Sequence, residues 1–219
     1  MMATFTWKNY SFQVCYYSGV NNKVGDGRKA PAVYNKTDTQ GVAMTEFTKQ
    51  SIQLPTIEAQ PGKPGEYTLR CELKVPYERE QVFEFFADAH ELERITPPWL
   101  HFNVLTPKPI EMFAGAIIDY KLRLHGIPIR WKTEIATWEP PYRFVDQQLK
   151  GTYKYWHHEH TFEEIEGGTL VKDCVKYGVP CGRLVHKLFV EKDLIKIFSY
   201  RQHAMWDIFA QEKQPLAMT

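Results

Sequence analysis

Gly151-Thr-Tyr-Lys-Tyr-Trp-His-His-Glu-His-Thr-Phe-Glu-Glu-Ile165 is the stretch on which the fold turns. It reads as one long β-strand, rich in aromatics and Thr, opened by a glycine and closed by Gly167-Gly168. Side chains alternate across a strand, so Trp156, His158, His160 and Phe162 share one face. Tyr153, Tyr155, His157, Glu159 and Glu163 share the other, and that charged face is expected to be wet. Two histidines then stand between a Trp and a Phe on the inner face, where an ordinary core would use Val or Ile. Inward imidazoles need hydrogen-bond partners, or a cavity holding water or ligand.

The flanking sequence supplies more strands. Residues 66–75 alternate Tyr67, Leu69, Cys71, Leu73 and Val75 with polar side chains, and Pro76 stops them. Residues 78–87 read as a helix with Val82, Phe85 and Phe86 inward. A second short helix over 89–95 ends at Thr96-Pro97-Pro98. Strands are then expected over 100–105, 116–124, 127–138, 143–149 and 169–177, separated by Gly and Pro turns. A long helix is expected over 183–211, with an apolar stripe of Leu184, Leu188, Ile195, Phe198, Met205 and Phe209. The fold class is therefore α+β: a curved seven-stranded antiparallel sheet, two short helices after its first strand, and a long C-terminal helix over a cavity.

The 219 residues carry a net charge of +1, so no basic field points to nucleic acid. Cys15, Cys71, Cys174 and Cys181 lack metal-finger spacing and fit reduced thiols. No apolar run reaches membrane-spanning length and no secretory signal opens the chain, so a soluble cytoplasmic protein is expected. Residues 1–65 lack periodicity beyond a possible strand between Phe5 and Tyr16, and end in Gln60-Pro-Gly-Lys-Pro-Gly65. They are expected to be a poorly ordered extension, with Met44 as an alternative start, residues 66–212 as the compact domain and 213–219 as a tail.

Leu92-Glu-Arg-Ile-Thr-Pro-Pro-Trp99, Pro140-Pro-Tyr-Arg-Phe-Val-Asp-Gln-Gln148 and Trp156-His-His-Glu-His-Thr-Phe162, in this order of elements, resemble the START/Bet v 1-like (SRPBCC) superfamily. The likeness is to a bacterial branch related to polyketide cyclase/dehydrase-like proteins, and it covers about residues 66–211. It implies the helix-grip fold, while the fold itself hosts carriers and enzymes alike. The glycine-rich loop of plant members has no counterpart, since His125-Gly-Ile-Pro128 is too short.

Within that topology the expected ligand-binding set is Tyr120, Trp131, Thr133, Asp146, Gln148, Trp156, His158, His160, Asp173, Tyr177 and Phe198. His158 and His160 fall on the strand between those bearing Asp146 and Asp173, so imidazole–carboxylate pairs are geometrically available. Three roles fit them: a satisfied polar network that fixes register, ligand contact, or acid–base catalysis with His158, His160 and Asp173 as candidates. A metal reading of His-x-His with Asp146 or Asp173 finds no further ligand at a recognisable spacing, and the resemblance implies none, so no metal or cofactor is expected. His90, His101, His125, His186 and His203 are expected to be surface or helix residues. The partner expected is a small hydrophobic molecule such as a lipid, polyketide or isoprenoid-like compound; the alternative is a cyclase or dehydratase.

Overall fold

The architecture is taken from a computed structural model of the chain, which describes residues 4–7, 10–13, 49, 52–180 and 182–211. Contacts divide the chain into Met1–Val42 and Ala43–Thr219. In the first unit β1 (Thr4–Trp7) and β2 (Tyr10–Gln13) form an antiparallel hairpin. The rest of residues 1–42 and the tail 213–219 lie outside the described residues.

The second unit is built on an eight-stranded antiparallel sheet. Its strands are β3 (Thr56–Ala59), β4 (Glu66–Val75), β5 (Asn103–Val104), β6 (Ile117–Leu124), β7 (Ile127–Glu139), β8 (Arg143–Lys150), β9 (Tyr155–Ile165) and β10 (Gly168–Gly178). The spatial order is β3-β4-β10-β9-β8-β7-β6-β5. Between β4 and β5 lie helices α1 (Arg79–Ala87) and α2 (Glu91–Arg94). After β10 come α3 (Gly182–Val185), a π-helical turn (His186–Val190) and the long helix α4 (Glu191–Gln211). This is the helix-grip α+β arrangement.

One strand exceeds the seven expected, and it comes from upstream of residue 66. β3 pairs with β4 through Thr56↔Arg70 to Ala59↔Tyr67. The Pro/Gly stretch Gln60–Gly65, whose composition suits a linker or a turn, is a hairpin turn: Gln60 donates its N–H to the Glu66 carbonyl at 2.9 Å, and Gly62 and Gly65 take positive φ. The four mostly exposed residues of β3 show no apolar alternation, so the strand leaves no periodic signal in the sequence. Three other expectations are corrected. β9 begins at Tyr155, since residues 151–154 form bends. The buried face of α1 is Val82, Phe83 and Phe86, with Phe85 only partly covered. Leu184 and Leu188 face outward, because the π turn inserts an extra residue per turn and shifts the phase of the apolar stripe.

The core lies between the concave sheet and α4. Phe83 and Phe86 of α1 pack with Phe144, Phe162, Met205, Trp206 and Phe209 at one end. Tyr67, Leu69, Val175 and Tyr177 gather with Leu194 and Phe198 at the other. Gln202 ties α4 to the sheet by donating Nε2–H to the Glu72 carbonyl at 2.9 Å.

His186 is a helix residue as expected, yet it is buried, stacked on Tyr67 with ring centroids 3.4 Å apart. The Tyr177 hydroxyl lies 2.9 Å from its Nε2. Burial holds its pKa below the ordinary value, partly offset by the Glu191 charge. A depressed folded pKa favours the neutral ring, so this stability is present above the unfolded pKa near 6.5 and is lost as pH falls toward the folded value. Thermal unfolding between pH 7.5 and 5 should therefore show a loss in the wild type that His186→Gln lacks; parallel profiles would contradict the assignment.

Candidate functional site

A cavity of about 220 Å³ opens between the sheet and α4. Its wall is set by strand parity. Ile118 and Tyr120 of β6, Trp131, Thr133 and Ile135 of β7, Phe144 and Asp146 of β8, and Trp156, His158 and His160 of β9 all line it. Leu194, Ile197, Phe198 and Arg201 of α4 form the roof, and Ala89, Leu92 and Ile95 close one end. The lining is largely apolar, and its polar centre is Asp146 on β8 with His158 and His160 on β9.

Eight of the expected residues thus line the cavity: Tyr120, Trp131, Thr133, Asp146, Trp156, His158, His160 and Phe198. Three do not. Gln148 has inward parity, but the bend after β8 claims it: its Nε2–H donates to the Tyr153 carbonyl at 2.8 Å, and its Oε1 accepts the Tyr153 N–H at 3.3 Å. Tyr177 is fully buried in the core against Tyr67 and His186. Asp173 sits behind the histidines rather than in the wall.

The polar centre joins three adjacent strands. In the register Asp146 stands opposite His158, and Asp173 opposite His160. His158 Nε2 lies 3.0 Å from Asp173 Oδ1, and its Nδ1 3.4 Å from Asp146 Oδ2. His160 Nε2 lies 3.2 Å from the same Asp146 Oδ2. His160 Nδ1 is 2.7 Å from Asp173 Oδ1, but the ring is misaligned, so this contact is an ion pair without a hydrogen bond's geometry. Both histidines and Asp173 are buried. Phe144 stacks on the His160 ring at 4.2 Å, and the two imidazoles lie 3.7 Å apart.

Charge decides how the cluster is protonated. Burial alone would neutralise the carboxylates, yet Arg201 and the imidazoles hold Asp173 well below the ordinary range. Burial likewise opposes ionisation of Asp146, and His158 and His160 more than reverse it. For His160 burial is outweighed by Asp173 and Asp146, which raise its pKa; for His158 burial and the neighbouring His160 charge lower it. With both carboxylates and Arg201 charged, one imidazolium at His160 brings the cluster to zero. Burial, then the Asp146 charge, raises the Tyr120 pKa, so its phenol remains a donor.

Arg201 and Tyr153 are among the lining residues that the expected set lacks. Arg201 falls one helical turn after Phe198 and so on the same face, a signal that was readable. Tyr153 enters the wall against its expected parity because the 151–154 bend breaks the strand.

An internal cavity under a helix laid across a curved antiparallel sheet defines a helix-grip protein. Residues 75–197, more than half of the chain, match the family described as polyketide cyclase / dehydrase and lipid transport, and the chain belongs to that family. Solved structures share the fold at low identity. Protein Ms6760 from Mycobacterium smegmatis is 15% identical with a TM-score of 0.54, over 73% of this chain and 99% of its own. TTHA0849 from Thermus thermophilus is 19% identical with a TM-score of 0.52, over 67% and 99%. Major latex-like protein 151 of Panax ginseng is 13% identical with a TM-score of 0.50, over 66% and 98%. No curated protein matches the chain.

Proposed function

We propose that this protein binds one small hydrophobic molecule in the cavity between the sheet and α4. The observation that carries the reading is an apolar lining, with Trp131, Trp156 and Phe198 as walls, surrounding a few convergent polar groups. A pocket of about 220 Å³ exceeds the ~150 Å³ apolar cavity that accepts benzene and falls short of the ~300 Å³ lower bound for drug-sized ligands. A substituted ring or a short isoprenoid- or polyketide-like unit therefore suits it better than a long lipid chain. Among the described residues no helix is long and apolar enough to cross a membrane. Cys71 and Cys174 are free thiols, which fits a cytoplasmic setting.

Native mass spectrometry of protein purified gently from its host should show a co-purified small mass. Ala89→Phe, which places a ring in the cavity, should weaken binding of that molecule by at least about tenfold, or 1.4 kcal/mol. Unchanged binding in a folded Ala89→Phe variant would move the ligand elsewhere.

The cyclase or dehydratase alternative rests on the histidines facing the cavity, where either could exchange a proton with a bound molecule. It adds a requirement: His160→Gln must abolish turnover while leaving ligand retention in place.

A further inference from the structure

We propose that Asp146, His158 and His160 form a binding site for one divalent first-row transition-metal ion in the cavity wall, with Asp173 as the residue that positions the His158 imidazole. The inference does not depend on which molecule occupies the cavity. Each of the three residues offers one ligand atom, and these atoms lie within 4.8 Å of one another.

The spacings suit an ion better than protons. Nδ1 of His158 and Nε2 of His160 face one and the same oxygen, Asp146 Oδ2, at 3.4 and 3.2 Å. Charge-assisted hydrogen bonds between such groups close to about 2.7–2.9 Å. A tetrahedral ion with bonds of roughly 2.1 Å instead holds its ligands about 3.4 Å apart. The two contacts match the edges of such a tetrahedron.

The far side of the His158 ring is also accounted for. His158 Nε2 is hydrogen-bonded to Oδ1 of Asp173 at 3.0 Å, while His160 Nδ1 meets the same oxygen at 2.7 Å as an ion-pair contact out of line. A buried carboxylate behind ligating imidazoles fixes the tautomer and aims the opposite nitrogen forward. Asp173 does this for the His158 ring from β10, on the side of β9 opposite Asp146 on β8. Neutral rings fill two of the four contacts, His158 Nε2 to Asp173 and His160 Nε2 to Asp146, and filling all four with protons would need two imidazolium rings 3.7 Å apart. An ion at the point shared by Asp146 and the two nitrogens engages both rings while leaving them neutral.

The ligand set indicates the class of ion. Two imidazoles and one carboxylate suit zinc, ferrous iron and their neighbours, and lack the oxygen ligands that calcium and magnesium require. All three ligands line the cavity, so a fourth position would face the bound molecule, as in exchangeable rather than closed sites.

Untagged full-length protein, stripped with chelator, is titrated with Zn²⁺ by calorimetry and with Co²⁺ by visible absorption. The expected result is one ion per chain, the intense Co²⁺ bands of a low-coordinate site, and a rise in Tm. His158→Gln, His160→Gln and Asp146→Asn should each weaken binding by at least 100-fold. Asp173→Asn should weaken it by about 10–100-fold at unchanged stoichiometry. The exposed His203→Gln should change nothing. Absence of a stoichiometric ion in the wild type overturns the proposal, whether or not the variants fold. So does an ion that persists undiminished in folded His158→Gln or His160→Gln. Binding of the hydrophobic molecule is measured separately in stripped protein, so failure of one reading is distinguishable from failure of the other.

Discussion

Replacing Asp173 by leucine should destabilise the metal-stripped protein by about 3–5 kcal/mol, the cost of removing one partner from a buried charged pair. Its side chain is 3% exposed, and it faces both imidazoles through Oδ1 and Cys71 Sγ through Oδ2 at 3.5 Å. Leucine supplies comparable volume, so cavity formation contributes little. What remains is an uncompensated positive field: Arg201 and a charged His160 would face only Asp146. The protein can shed the His160 proton, but it then leaves buried nitrogen atoms without partners, which costs about 1–3 kcal/mol. Urea denaturation with chelator present should show a lower midpoint at unchanged m-value. Pairing the substitution with His160→Leu should recover part of the loss, since both partners are then gone, and the cycle should show coupling of about 0.5–3 kcal/mol. A loss below about 1 kcal/mol, with no coupling, would mean that the cluster contributes nothing to the fold.

That experiment tests an inference first available from strand parity alone. Alternation placed His158, His160 and Phe162 on the buried face of β9, and a meander order put carboxylates on both neighbouring strands. Parity holds because the side-chain period of a strand is fixed and a one-residue slip would invert every side chain. It fails wherever the chain leaves the strand. Gln148 and Tyr153 are neighbours across the 151–154 bend, where side-chain amide bonds to backbone replace the ladder and exchange the expected positions of the two residues. Tyr177 shows a different limit. It faces inward as alternation requires, but α3 and the π turn pack over that end of β10, so inward there means core rather than cavity. The relation of imidazole nitrogens to a single carboxylate oxygen was out of reach of sequence, because it depends on ring rotation within the register. β3 was hidden by its brevity, and the outward turn of Leu184 and Leu188 by a π turn that no residue pattern announces.

Phe162→Ala should be the most damaging truncation in the aromatic end of the core, at about 3–5 kcal/mol. The ring is 2% exposed and touches Phe83 at 5.3 Å, Phe86 at 5.0 Å and Phe144 at 6.1 Å between centroids. The edge-to-face pairs with Phe83 and Phe86 and the stacked pair with Phe144 add about 0.5–1.5 kcal/mol each beyond burial, so the loss should lie toward the top of the range. The three neighbours belong to α1 and β8, which limits collapse into the space: α1 cannot move inward without dragging Val82 and Phe86 out of register with Met205 and Phe209. The consequence reaches the site, because Phe144 leans on Phe162 and also stacks on His160. Loosening Phe144 frees the His160 ring to rotate, and the vacated space adjoins the cavity wall at Phe86 and Phe144. Phe162→Ala should therefore accept a bulkier apolar probe than the wild type while unfolding at lower denaturant. Phe85→Ala, at a partly covered position on the same helix, should cost clearly less. A loss at Phe162 under about 1.5 kcal/mol would show that the aromatic cluster repacks freely, and that His160 owes its orientation to the carboxylates rather than to the ring stacked upon it.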